Sequence, residues 1–243
     1  MNAINNLRTN TRLLAAFLLV AAVAAVIGIV GYINLTSLDH DAHEIGSVRL
    51  PSVQSLLIIS EAQTAVLAGE RGLINRRMMD AELRQAQYDY IDAAFERADA
   101  AWKIYEPLPQ TEEEARIWKE FVPVWQHWVK AHQVVRDLME EKDKLIAAGA
   151  TADNDKVTEI DKQAMEASLK ARETYLEAEA LLNRLVDINM EAGSEAEIAA
   201  SATAARAKTI MLIAIAIGVA LAVALGLVIS RTITAPLAIV TSA

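Results

Sequence analysis

The sequence predicts an all-α fold: a membrane-anchored, antiparallel up-down-up-down four-helix bundle with two transmembrane helices. The chain has two long uncharged apolar runs, one near each end, and a polar middle whose apolar residues recur at helical spacing. Only nine glycines and five prolines occur in 243 residues, and strand-type alternation is nearly absent. The apolar content of 53% is typical of a membrane protein with a large polar part.

The two apolar runs, 13–33 and 209–230, are the predicted membrane spans. Each has about 20 residues, which at ~1.5 Å per residue matches a hydrocarbon core of roughly 30 Å. We interpret the first run as an uncleaved span because it is longer than the apolar part of a signal peptide. Arg8 and Arg12 precede it without any acid, so the positive-inside rule places the N-terminus in the cytoplasm. The middle of the chain then lies outside, and the C-terminus returns to the cytoplasm.

Composition excludes several classes of function. All 32 acidic residues lie between Asp39 and Glu197, and this acidic middle argues against nucleic acid as a partner. Cysteine is absent, which excludes disulfides, thiolate zinc sites and cysteine nucleophiles. No nucleophile–base–orienter set and no nucleotide-binding motif is recognisable, so we expect no catalytic residue and no cofactor. His40 and His43 lie near acids, but we interpret them as surface residues and expect no metal site.

The first two helices of the bundle are predicted at about 38–79 and 80–105. Pro51 should kink helix 1 or mark its real start. Helix 2 should end before Pro107 and Pro109. Apolar residues at steps of three and four, or their sums, mark a stripe along helix 1: Val53, Leu57, Leu67, Ile74 and Met78.

Helix 3 is predicted at about 112–148 and helix 4 from about 153 to the membrane. Thr111 followed by Glu114 is a capping-box pattern, and Gly149 suits a left-handed helix end. Pro123 should bend helix 3. Helix 3 carries an apolar and aromatic face at Trp118, Phe121, Trp125, Val129, His132 and Val135. Helix 4 carries a coiled-coil seam at Ala167, Ala171, Thr174, Ala178, Leu181, Leu185, Ile188 and Ala192.

Two local motifs add a family resemblance to this layout. Residues 231–237 read R-T-I-T-A-P-L, which resembles the start of a HAMP domain, and residues 70–80 read E-R-G-L-I-N-R-R-M-M-D. The second stretch is similar to the arginine-bearing part of helix 1 in aspartate and serine receptors. In layout the whole chain resembles a bacterial methyl-accepting chemotaxis protein. Since it stops at Ala243, we interpret it as a sensor and transmembrane fragment that lacks most of HAMP and the cytoplasmic part.

The resemblance implies a multi-pass protein of the bacterial inner membrane with its sensor domain in the periplasm. The helix 4 seam suggests a homodimer, although a trimer is not excluded. The resemblance also implies control of a chemotaxis kinase and coupling protein through the missing cytoplasmic part. The expected organisation is a cytoplasmic tail at 1–12, a span at 13–33, a periplasmic four-helix bundle at 34–208, a span at 209–230, and a truncated HAMP start at 231–243.

A ligand site is predicted near the top of helix 1, where residue counts from the two spans bring all four helices to one level. Arg71 interrupts the apolar stripe of helix 1, and Arg172 and Tyr175 share one face of helix 4. Guanidinium groups match carboxylates bidentately, so the expected ligand is a small anion, most plausibly a di- or tricarboxylate such as malate or citrate. The candidate residues are Arg71, Arg77, Tyr88, Arg136, Arg172 and Tyr175. The resemblance implies the same role for arginines of helix 1, here Arg71, Arg76 and Arg77, in a site at the dimer interface.

Alternative interpretations remain at this stage. The chain could be the front of a membrane histidine kinase or diguanylate cyclase, and only sequence beyond Ala243 would discriminate between these and a chemoreceptor. A purely structural coiled coil is a third reading, which Arg71 in the apolar stripe and the two kinking prolines disfavour. For His132, Tyr88, Tyr175 and the tryptophans, ordinary packing competes with a binding role.

Overall fold

The structure, a computed structural model, describes residues 9–241, and these contain five α-helices and no strand. The helices are α1 (Thr9–His43), α2 (Leu50–Ile74), α3 (Ala81–Tyr105), α4 (Glu112–Ala147) and α5 (Asp155–Thr241). A π-helical segment, Glu44–Arg49, joins α1 to α2. The all-α prediction is therefore confirmed.

Two compact units divide the chain. The bundle unit is Glu44–Glu195 and contains α2, α3, α4 and the first part of α5. The other unit contains all of α1 and the rest of α5. In that unit the apolar side chains are mostly exposed, and a Cβ at Gly218 would lie 3.6 Å from Val23 Cγ1, so its two helices are in contact there. Two helices are long and apolar enough to cross a membrane. The side chains at 231–243, on which the HAMP prediction depends, lie outside the described residues.

Local sequence signals explain where the bundle helices begin and end. Thr111 and Glu114 form the predicted capping box at the start of α4, and Asp80 accepts a hydrogen bond from Leu83 N at the start of α3. Gly149, after α4, has a φ of 89°, a conformation in which a Cβ would be strained. The helix continues through Pro123, and the bend expected there stays a prediction.

Helix 1 of the prediction differs from the structure at both ends. The π-helical segment precedes Pro51 and runs into α2 without a break, since Arg49 is itself helical. Pro51 therefore lies in the first turn of α2 but does not begin a separate helix. Helix α2 ends at Ile74 rather than at residue 79, because Asn75 leaves the helical conformation and its N–H closes the last turn on Arg71 O and Gly72 O. Residues 75–80 form the connection to α3.

The buried face of α2 is rotated by one residue from the predicted stripe. Leu56, Ile59, Val66 and Leu73 are buried, whereas Leu57 of the predicted stripe is half exposed. The expectation that Arg71 lies among buried apolar residues is therefore wrong: Arg71 is exposed, and the charged residue on the buried face is its neighbour Glu70.

Aromatic side chains of α3 and α4 fill the middle of the bundle. The ring centroids of Trp102 and Trp118 are 4.4 Å apart, and those of Trp125 and Trp128 are 4.7 Å apart. Small residues of α3, among them Ala94 and Ala98, are fully buried and leave room for these rings. The tryptophans predicted on one face of helix 3 are thus packing residues.

The coiled-coil seam predicted on helix 4 packs inside the bundle. Ala171, Ala178, Leu185 and Ile188 are buried against the core of the same chain. The seam consequently gives no argument for a dimer, since its contacts are already used within one protomer.

A buried polar layer lies at the end of the bundle where α2 begins. Glu114 is fully buried and accepts hydrogen bonds from Arg49 Nη1 (2.9 Å), the Tyr105 hydroxyl (2.7 Å) and Asn189 Nδ2 (2.7 Å). It also accepts from the backbone N–H of Thr111. Both carboxylate oxygens are therefore satisfied, and the layer ties the π-helical segment, α3, α4 and α5 together.

Candidate ligand site

A cavity of about 560 Å³ lies between α2 and α5, near the α2–α3 connection. Its volume is within the range of small-molecule sites. Apolar side chains form most of its wall: Leu67, Ile74, Trp128, Met165, Leu169 and Tyr175. Trp128 and Tyr175 meet edge to face with their ring centroids 6.2 Å apart, which fixes one wall of the cavity.

Cross-helix hydrogen bonds set the register of the two helices that flank the cavity. Gln63 Nε2 donates to Tyr175 O at 3.1 Å, and Ser168 Oγ donates to Glu70. Further along, Arg76 donates to Thr158 Oγ1 at 3.2 Å. Higher numbers on α2 thus lie opposite lower numbers on α5, so the helices are antiparallel and the cavity runs along both.

Four cationic side chains line the cavity: Arg71, Arg76, Lys162 and Arg172. Arg76 is engaged, because its guanidinium donates to Ala152 O and pairs with Asp153. Within residues 9–241, the side chains of Arg71, Lys162 and Arg172 have no ion-pair partner, and all three are exposed. The cavity therefore joins an apolar interior to unpaired guanidinium groups, a combination that suits an organic anion.

Glu70, the acid next to Arg71 in the sequence, already has hydrogen-bond partners. Glu70 lines the cavity but is buried, with one carboxylate oxygen bonded to His132 Nδ1 at 2.7 Å and the other to Ser168 Oγ. His132 is thus a buried histidine with a partner, in agreement with the packing interpretation. Since Glu70 needs no further donor, the Arg71 guanidinium is not required for its pairing.

The structure brings together three of the six predicted site residues, Arg71, Arg172 and Tyr175, at this cavity. Arg77 is exposed in the α2–α3 connection and does not line it. Tyr88 and Arg136 belong to a separate cluster between α3 and α4.

In that cluster, the Tyr88 hydroxyl donates to Asp143, and the Arg136 guanidinium lies 5.3 Å from the centre of the Tyr88 ring. Arg136 also pairs with Asp92 and Glu140. Burial, together with the bond to Asp143, raises the pKa of Tyr88 well above its ordinary value. The hydrogen bond from Arg136 lowers the pKa of Asp92. These groups already have partners, so they offer less to a ligand than the cavity cations do.

Sequence reasoning missed Glu70, Asp161 and Lys162 as cavity residues. A signal for Glu70 exists: it continues the 3-4-3-4 spacing of Leu56, Ile59, Gln63 and Val66, all of which are buried. For Lys162 we find no such signal, because an exposed lysine on a long helix is ordinary. Across residues 9–241 no cluster of three potential metal-ligating side chains occurs.

The comparison with protein families gives one match. Residues 6–204 match the family described as the four helix bundle sensory module for signal transduction. No curated protein and no solved structure matches the chain. Because the matched residues cover most of the chain and the fold is all-α, the protein belongs to this family of four-helix-bundle sensory modules, which chemoreceptors carry.

Proposed function

We propose that the protein is the sensory and transmembrane part of a chemoreceptor that detects a small organic carboxylate. The single observation that carries the proposal is the cavity between α2 and α5, where the guanidinium groups of Arg71 and Arg172 meet an apolar interior. The proposed organisation follows the sequence: a cytoplasmic tail at 1–12, spans at 13–33 and 209–230, a periplasmic bundle at 34–208 and a HAMP start at 231–243. The membrane is the bacterial inner membrane.

In this proposal the ligand carboxylate binds to Arg71 and Arg172, which lie on different helices. Arg71 belongs to α2 and Arg172 to α5, so an anion held by both connects the two helices. The ligand then favours whichever arrangement of α2 and α5 it binds more tightly, and only that difference in affinity drives a signal. Helix α5 continues toward the second span, and kinase control follows in the cytoplasm.

The proposed assembly is a homodimer. Three apolar side chains of α5 are about half exposed and lie at helical spacing beside Arg172: Met165 and Leu169, which also line the cavity, and Leu176. Exposed apolar rows of this kind are typical of helix–helix interfaces. Light scattering of the purified chain in detergent, with and without ligand, would measure the number of protomers.

Calorimetric titration of the purified full chain in nanodiscs tests the ligand proposal. The panel contains malate, citrate, succinate, aspartate and benzoate, and the variants are Arg71→Ala and Arg172→Ala. Hydrogen bonds to a charged group contribute about 1.5–3 kcal/mol, so each variant should weaken binding roughly 10- to 150-fold. Arg116→Ala is the control, because Arg116 is an exposed arginine on α4 outside the cavity. Unchanged affinity in both cavity variants would refute the proposal.

A further inference from the structure

Asp161 lines the cavity, and among the described residues one of its carboxylate oxygens has no hydrogen-bond partner. Asp161 Oδ1 accepts from Lys142 Nζ at 2.7 Å. Asp161 Oδ2 is buried, and within the described part of the chain nothing donates to it. An ionised carboxylate accepts on both oxygens, and leaving a buried one unsatisfied costs free energy. A donor on a ligand in the cavity would satisfy this oxygen.

The charge of Asp161 is already balanced. Lys142 is fully buried against it, so a buried ion pair stands at this end of the cavity. Two further cations, Lys162 and Arg76, line the same cavity. An incoming ammonium group would add positive charge to a cavity whose lining cations already outnumber its two acids, Glu70 and Asp161. A hydroxyl group, by contrast, donates a hydrogen bond without adding charge.

The oxygen of Asp161 lies some way along the cavity from the arginines. Ser168, which bonds to Glu70 beside Arg71, follows Asp161 by two turns of α5, a rise of roughly 10 Å. Arg172 lies one further turn along. A ligand that reaches both ends must therefore be elongated. Apolar groups of Ile74 and Met165 line the cavity, which favours an apolar body between the two polar ends.

We infer that Asp161 forms a second subsite, which selects a carboxylate whose apolar body carries a hydroxyl group at the end remote from the carboxylate. The inference rests on the proposed function, because Arg71 and Arg172 anchor the carboxylate end. The hydroxyl donates to Asp161 Oδ2, and the Lys142–Asp161 pair stays intact. This ligand class differs from the short di- and tricarboxylates expected from the sequence.

A set of matched ligands tests the subsite on the unaltered full chain in nanodiscs. The set is 4-hydroxybenzoate, 4-methoxybenzoate and benzoate, with 6-hydroxyhexanoate and hexanoate as an aliphatic pair. Each hydroxylated ligand should bind at least tenfold more tightly than its parent. The methoxy compound fills similar space but cannot donate, so it should gain nothing over benzoate. Equal affinities within the sets, or a gain from methoxy equal to that from hydroxyl, would overturn the inference.

Failure of the subsite and failure of the proposed function give different results. Malate or citrate binding that requires Arg71, with neither ligand set bound, would overturn the subsite and leave the proposed function standing. No carboxylate binding at all would overturn both. Asp161→Asn should reduce the hydroxyl preference to less than threefold, whereas Asp155→Asn, an acid of the same helix outside the cavity, should leave it unchanged. A preference that persists in folded Asp161→Asn protein would contradict the assignment.

Discussion

Removing the carboxylate of Glu114 should destabilise the bundle more than removing any exposed acid. Glu114 is fully buried and accepts from Arg49, Tyr105, Asn189 and the backbone of Thr111. In Glu114→Ala, the buried Arg49 loses its buried ion-pair partner. Its other ion-pair partner, Glu44, has a side chain that is 31% exposed. Breaking a buried pair in this way costs about 3–5 kcal/mol.

The thermal shift follows from that free energy. For a domain of this size, each kcal/mol lowers the Tm by roughly 2–4 °C, so Glu114→Ala should unfold roughly 6–20 °C below the unaltered chain. Intrinsic fluorescence is a suitable readout, because all four tryptophans lie within the bundle unit. Glu114→Gln keeps the size of the side chain and one acceptor oxygen but loses the charge. Its Tm should therefore lie between those of Glu114→Ala and the unaltered chain.

Glu113→Ala is the matched control. Glu113 occupies the same turn of α4 and pairs with Arg184, but the side chains of both are about half exposed. Exposed pairs contribute about 0–1 kcal/mol, so its Tm should drop by at most a few degrees. If Glu114→Ala lowered the Tm no more than Glu113→Ala, the argument that the buried polar layer stabilises the bundle would be refuted.

Three further predictions concern the bundle. Gly69→Ala should lower stability by about 1–3 kcal/mol in urea unfolding, because its Cβ would lie 2.6 Å from Ile91 Cγ1; unchanged stability would show that Ile91 moves aside without cost. Gly149→Ala should cost about 1 kcal/mol in the same assay, because only glycine tolerates a φ of 89° without strain. Arg136 lowers the pKa of Asp92, so the carboxylate contributes stability above its unfolded pKa of about 3.9 and loses it as pH falls through the lower folded value. Asp92→Asn should therefore destabilise the chain by less than ~1 kcal/mol at pH 7 and make little difference near pH 2; an effect that grows in acid would contradict the pairing.

The bounds of α3 and α4 could be predicted because their boundaries have local causes. The capping box of Thr111 and Glu114 and the glycine at 149 act within a few residues of their own position. The apolar face of α4 was also predictable, because large aromatic residues recur there at an unambiguous spacing. The π-helical segment Glu44–Arg49 was not, because its extra residue per turn shifts the phase without leaving a compositional mark.

Three of the six predicted site residues, Arg71, Arg172 and Tyr175, lie at the cavity. Their common position could be predicted because counting residues along each helix gives the height of a side chain along the bundle axis. The same count placed Tyr88 and Arg136 at that level, but level alone does not say which pair of helices a side chain lies between. Their partners Asp143 and Asp92 come from α4 and α3, so they belong to a separate cluster.

The one-residue rotation of α2 also changes why Arg71 is a good candidate. The sequence argument placed Arg71 within the apolar stripe of helix 1. In the structure the buried charge is Glu70, whose two oxygens are taken by His132 and Ser168. Because these groups satisfy Glu70, the adjacent guanidinium is exposed at the cavity without an acid of its own among the described residues. Arg71 thus stays a candidate because Glu70 beside it is satisfied by His132 of α4 and Ser168 of α5. The sequence of α2 alone could not reveal these partners.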